Sequence, residues 1–196
     1  LVALTAGIVD LTIGITVGCI AAFFGRKTDE IVMRICDILY SIPYLLNVIL
    51  LMMLFRPSLF TILVAISFSG WVNMARVVRT QILEIKEKEF IQGAIALGLP
   101  RMQVLLRHLL PNSIGAIIGA LSLTLPYAIF AEAFLSFLGL GLQPPAASLG
   151  VLISDGLAAL RFYPWRLFFP AGVLSILILS FNLVADSVRD AMDPRL

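Results

Sequence analysis

Few residues in this chain of 196 are equipped for chemistry. Its single histidine, His108, has no second histidine with which to hold a metal and no adjacent cysteine or serine to activate. A histidine satisfied at an interface is the plainer reading. Cys19 and Cys36 lie in or beside apolar runs, and neither a disulfide nor a metal pair is expected of them. The three lysines, Lys27, Lys86 and Lys88, follow Arg, Ile and Glu, so the chain has no G-x-x-x-x-G-K-S/T phosphate loop. No cofactor is expected in this chain itself. Two carboxylates remain, Asp10 and Glu132, both inside apolar runs. A charge near the middle of a span costs on the order of 2.5–3.5 kcal/mol on insertion scales, so Asp10 needs a reason to be there.

The elements that hold these residues follow from composition. Hydrophobic residues make up 60% of the chain and charged residues 13%, with a mean hydropathy of +1.03. A soluble domain carries roughly 25% charged residues, so this chain cannot cover its surface with polar groups, and the solvent it expects is lipid. Five runs are long enough to cross a bilayer: 1–24, 35–55, 59–78, 114–135 and 167–184. None alternates with period two, which argues against a barrel. With no water to satisfy the backbone, the spans must be helical. The fold class expected is all-α, a polytopic membrane protein of one transmembrane domain over 1–196. Pro43 and Pro126 fall inside spans and are expected to kink them. Asn47, Asn73 and Asn182 suit interhelical hydrogen bonds.

Sorting Lys and Arg by alternate sides places eleven on one side (Arg26, Lys27, Arg34, Arg76, Arg79, Lys86, Lys88, Arg101, Arg107, Arg189, Arg195) and three on the other (Arg56, Arg161, Arg166). The richer side is expected to be cytoplasmic, together with the C-terminus. Both cysteines fall near that side, where thiols stay reduced. The sequence begins within an apolar run and lacks a signal-peptide pattern, so an earlier span is expected to be missing. An external loop is expected at 136–166, with Ser148 capping a short helix through Leu160.

A cytoplasmic loop at about 84–111 breaks the apolar pattern. Leu83 to Leu97 reads as a helix, Gly98 as its left-handed cap, and Pro100 as the start of a second helix. That helix is expected to run to Leu110, with Pro111-Asn112 turning the chain back toward the membrane. Gly93, Ala94, Ala96 and Gly98 give the pair a small-residue surface, shaped as a knob for a partner's socket; an idle connector between spans is the alternative.

The loop resembles the "EAA" loop of membrane subunits from ATP-binding-cassette importers: E-A-A, three residues, Gly, nine residues, I-x-L-P. Gln92-Gly93-Ala94 stands for E-A-A, Gly98 is the glycine, and His108-Leu109-Leu110-Pro111 closes the pattern. Gln thus replaces Glu, Gly replaces the first Ala, and His replaces Ile. Further segments resemble the C-type permease subunit of the dipeptide and oligopeptide branch: "DEIVMRICDILYSIP" (29–43), "WVNMARVVRTQIL" (71–83), "AEAFLSFLGLGLQPP" (131–145) and "FNLVADSVRDAMDPRL" (181–196). In the last of these, Ala185 replaces a glycine.

The resemblance implies a type I importer transmembrane fold, which usually has six spans, and no catalysis in this chain. It implies as partners a B-type permease, two ATP-binding-cassette ATPases, an extracellular solute-binding protein and membrane lipid, with no nucleic acid. ATP and magnesium would sit on the ATPases. The 89–111 loop would dock in an ATPase groove through Glu89, Gln92, Gly93, Ala94, Ala96, Gly98, Leu110 and Pro111. The cargo implied is a peptide, with nickel complexes or glutathione as alternatives in related importers. A secondary transporter or channel is the rival class, but the inverted repeat or paired broken helices it should show are not visible. Asp10 and Asn47 are candidates for the substrate path; Asp10 would meet the peptide amine or tune the path, or else be hydrogen-bonded at the partner interface or protonated. Glu132 lies 18 residues beyond Ile114. At 1.5 Å per residue that is about 27 Å, near the external face, where it would brace the Leu135–Pro145 turn or act as a gate. Asp186, Arg189, Asp190 and Asp193 would form a charge lattice at the end of the last span.

The topology has a direct check. Single cysteines at Ser148 and Gln103, in a background lacking Cys19 and Cys36, are expected to label from opposite sides. The first should react with an impermeant thiol reagent in intact cells, and the second only after lysis.

Overall fold

The computed structural model describes residues 2–55, 58–141 and 148–192. Every regular element among them is helical: α1 (Val2–Phe23), α2 (Arg26–Ser41), α3 (Tyr44–Leu54), α4 (Leu59–Lys86), α5 (Glu89–Ala96), α6 (Arg101–Val104), a π-helical turn (Leu105–Leu109), α7 (Leu110–Asn112), α8 (Ile114–Phe137), α9 (Leu149–Ala158) and α10 (Trp165–Met192). Four helices are long and apolar enough to span a membrane: α1, α4, α8 and α10 through Ala191.

The expected span 35–55 is not one helix. It is the end of α2 and the whole of α3, bent by 80° at Ile42-Pro43. Pro43 excludes the α conformation from the residue before it, and Ile42 is accordingly extended (φ −87°, ψ 128°). The helix must end there, and Pro43 starts the next. α8, in contrast, runs through Pro126 as a single helix.

Two further boundaries differ from expectation. α4 continues to Lys86, so residues 83–86 extend the span instead of opening the loop helix, which begins at Glu89. Pro111 does not turn the chain either. It lies within a helical turn and leads almost directly into α8. In α geometry its ring would meet the carbonyl of residue 107; the wider π turn at 105–109 comes immediately before it and eases that clash. Asn112 Nδ2 donates to the His108 carbonyl at 2.6 Å, and Ser113 Oγ to that of Leu109 at 2.8 Å. Ser148 caps α9 as expected, accepting from Val151 N at 3.3 Å. In the 144–145 proline pair, and at Arg56, Arg195 and Asp193, expectation falls outside the described residues. Asp186, Arg189 and Asp190 form no ion pair among the described residues, so the expected lattice is not seen there.

The interior has two apolar clusters, one at each end. The first joins Val2 and Ala6 of α1, Val48 and Met52 of α3, Ile62 to Ile66 of α4, and Ala128 to Leu135 of α8. The second joins Ala22 of α1, Met74 to Ile85 of α4, Ile91 of α5, Val104 to Leu109, and Ile117 of α8. Thus the ends of α1 and α4, the α5–α7 segment and the start of α8 share one end of the molecule.

α1 and α4 run together along both clusters. Their seam is made of glycines: a Cβ at Gly14 would lie 2.5 Å from Met74 Cβ, and one at Gly18 would lie 2.6 Å from the Ala75 carbonyl oxygen. Small residues at such a seam let backbones approach, which is how helices hold each other in lipid. Gly14→Val or Gly18→Val is therefore expected to destabilise the bundle by about 1–3 kcal/mol, the usual range for overpacking. Gly172→Ala, where no atom lies within 4 Å of the new Cβ, should be neutral. Thermal unfolding of the purified protein in detergent measures the difference.

Candidate functional site

Two features stand out: the α5–α7 knob at one end and a cavity between the clusters. The knob is held from beneath. Ile91 is fully buried in the end cluster, and Val104, Leu105 and Leu109 enter it from the other limb. Gln92, exposed, donates from Nε2 to the Lys86 carbonyl at 2.8 Å, closing the short α4–α5 connection. Glu89 lies in the first turn of α5, where its charge favours the helix N-terminus.

α5 ends in a Schellman motif. Leu99 N donates to the Ala94 carbonyl at 3.2 Å and Gly98 N to that of Ile95 at 3.0 Å. Gly98 has φ +80°, the left-handed conformation expected of it. Gly93, Ala96, Gly98 and Pro111 are exposed, Ala94 is half-buried, and Leu110 packs inward. A Cβ at Gly93 would meet nothing within 4 Å. The sequence reading overlooked the large side chains beside these small ones. Leu97 is 84% exposed and Phe90 54%, with Met102 and Leu106 also out. A small-residue floor ringed by exposed apolar side chains is the profile of a contact surface.

The cavity, of about 590 Å³, lies between α1, the α2–α3 bend, α4 and α8. Asp10 lines it, with Tyr40, Tyr44, Asn73, Thr124 and Tyr127. Asp10 is 3% exposed. A Cβ at Gly70 would collide with its carboxylate, so that glycine leaves room for it. Tyr44 packs its ring against Tyr127, centroids 5.0 Å apart, and donates its hydroxyl to the Ile66 carbonyl at 3.1 Å. Asn47 is buried in α3, its Nδ2 unpartnered, and does not line the cavity; Asn73 does.

Glu132 stands away from both features. Its Oε1 accepts from Ser136 Oγ at 2.9 Å, one turn before α8 ends in a second Schellman motif at Gly139, φ +78°. Gly141 folds back so closely that a Cβ there would collide with Ser136 Oγ.

Two ion pairs tie the α2 limb of the bend to α4. Arg79 binds Asp29 through two hydrogen bonds of 2.5 Å. Arg76 binds Asp37 at 2.8 Å, with its guanidinium 4.5 Å from the centre of the Tyr40 ring. The segments 29–43 and 71–83, separate as sequence motifs, are thus one cross-braced unit. The signal was present as Asp29/Asp37 and Arg76/Arg79 on one face of each helix, but pairing across 50 and 39 positions is not read from spacing.

A bundle of membrane-length helices with one sharply bent pair, carrying a compact helical knob at one end, is the architecture of an ABC-importer transmembrane subunit. It is shared with the MetNI methionine ABC transporter in inward-facing crystal structures, at TM-score 0.79 and 21% identity, covering 97% of this chain and 91% of that one. It is also shared with an amino acid ABC transporter crystallised with histidines, at TM-score 0.74 and 15% identity, covering 97% and 88%. The chain belongs to the family of binding-protein-dependent transport system inner membrane components, matched over residues 14–196. It is 50% identical to the oligopeptide transport system permease OppC of Bacillus subtilis (strain 168) and 48% identical to the dipeptide transport system permease DppC of the same strain. All of this chain aligns, and it spans 64% and 61% of their lengths.

The Asp29–Arg79 pair is mostly shielded, at 18% and 30% side-chain exposure. Asp29→Arg and Arg79→Asp should each lower stability by about 1–3 kcal/mol, the range for a charged hydrogen bond. The double exchange should recover much of the loss, read as melting temperature in detergent.

Proposed function

We propose that the chain is a membrane-spanning part of a permease in an ATP-driven importer of di- and oligopeptides. One observation carries the cargo: end-to-end similarity to permeases named for oligopeptide and dipeptide transport. Its partners in this reading are a second permease of the B type, two ABC ATPases holding ATP and magnesium, and a solute-binding protein outside the membrane. The end bearing α5–α7 faces the cytoplasm, in keeping with the charge bias. α5 docks on an ATPase, and Ile91, Gln92 and the α4–α5 connection pass its displacement to α4. The exposed Phe90 and Leu97 around open Gly93 support that docking surface. Glu132 braces the Gly139 turn through Ser136.

Two substitutions separate docking from folding. Gly93→Arg adds bulk where this chain leaves open space, so the bundle should keep its stability. Gly98→Val forces a β-branched residue into positive φ at a local cost of about 1 kcal/mol or more. Both are expected to leave membrane insertion and permease pairing intact. Both should abolish uptake of a radiolabelled dipeptide, with ATPases released or hydrolysis uncoupled, whereas a bulky change at exposed Glu87 should do little. Normal uptake by both variants with the ATPases attached would show that the knob is only a connector. Uptake of nickel complexes or glutathione in place of peptide by the unaltered importer would overturn the cargo.

A further inference from the structure

The buried carboxylate of Asp10 has no charged partner in its surroundings. Its Oδ1 makes no hydrogen bond, and its polar neighbour on α4, Ser67, is a neutral hydroxyl. Among the described residues no Lys, Arg or His lines the cavity that it faces. A second polar atom of the lining, Ser69 Oγ, is also buried and unpartnered. Buried polar groups left unpaired are costly, and a carboxylate is the costliest of them.

Packing alone does not account for an acid at this position. Asp10, Gly14 and Gly18 fall on one face of α1 at intervals of four, and the two glycines make the seam with α4. A small residue at position 10 would continue that seam. Instead Gly70 yields its Cβ space to the carboxylate. The arrangement gives up packing to place an acid at the wall of a cavity that Tyr44 and Tyr127 also line.

We propose that this cavity binds an ammonium group of the translocating solute, with Asp10 as its counter-ion and the tyrosine rings as its cation-binding wall. An ammonium brings three donors and a positive charge, which meet an orphan carboxylate oxygen, an orphan hydroxyl and ring faces that attract cations. The volume of about 590 Å³ is within the range of small-ligand sites. The proposal rests on the importer reading above, because an ammonium reaches this depth only as part of a transported solute.

The test uses the complete assembled importer in lipid nanodiscs or vesicles, with three probes: alanyl-alanine amide, its N-acetyl form, and N-acetyl-alanyl-lysine amide. In ATP-driven uptake of the free-amine probe, Asp10→Asn is expected to raise KM or lower the rate by about tenfold or more. Asp10→Glu should recover part of the loss. A second measurement needs no variant. In the wild-type complex without its binding protein, modification of Asp10 by dicyclohexylcarbodiimide, read by mass spectrometry, should be slowed by at least one of the two amine-bearing probes and not by the N-acetyl form of alanyl-alanine amide. Protection by the lysine probe alone would assign the ammonium to a side chain; protection by alanyl-alanine amide alone would assign it to the peptide N-terminus. Either result sustains the site. Equal labelling of Asp10 under all conditions, or undiminished uptake of both amine-bearing probes by Asp10→Asn, overturns it while leaving the importer reading intact. A wild-type complex that takes up no peptide overturns both.

Discussion

Close approach of α1 to α4 is the constraint on which the other contacts depend. In lipid, apolar side chains gain nothing by leaving their surroundings for one another, so helices hold together by van der Waals fit. Gly14 and Gly18 supply that fit, setting the α1 backbone against Met74, Ala75 and Val78. With α4 held in this way, its other faces become reference surfaces. Asp29 and Asp37 bind Arg79 and Arg76 on one of them, which fixes α2 ahead of the bend. Ile82 and Ile85 carry α5 and the π turn on another.

A continuous α4 therefore connects three places: the cavity at Ser69, Gly70 and Asn73, the ion pairs at Arg76 and Arg79, and the knob beyond Lys86. At 1.5 Å per residue, the distance from Gly70 to Lys86 is about 24 Å. α4 runs over that length as one helix, with no proline or break. The α2–α3 bend is tied to the same helix through both arginines. Tyr40, at the end of α2, contacts Arg76 by its ring and the cavity by its lining position.

Local chemistry at the ends of helices explains several motif residues that composition leaves opaque. Gly98 and Gly139 are both left-handed caps of Schellman type, one ending α5 and one ending α8. The glycine of the loop pattern and the first glycine after Ser136-Phe137-Leu138 thus answer the same need: a backbone that closes its last carbonyls and leaves sharply. Gly141 serves differently, by lying against Ser136, where any side chain would collide.

The sequence alone determined that the chain is helical and membrane-embedded, because a backbone in lipid must satisfy its hydrogen bonds within each segment. It also located Gly98 as a positive-φ cap and Ser148 as an N-cap, since these are decided within a few residues. It placed a kink at Pro43 within the run 35–55 but not the full break into two helices set at 80°, and it missed that α4 overshoots to Lys86. Only the tertiary structure decided which helices meet. Glycines at 14, 18 and 70 announce close contact without naming a partner, and Asp29 carries no mark of Arg79. It alone distinguished Asp10, which opens on the cavity, from Asn47, which is buried away from it. The physical reason is that secondary structure is set by local torsions and hydrogen bonds, whereas a cavity and its orphan charge exist only where four separate segments fail to close on one another.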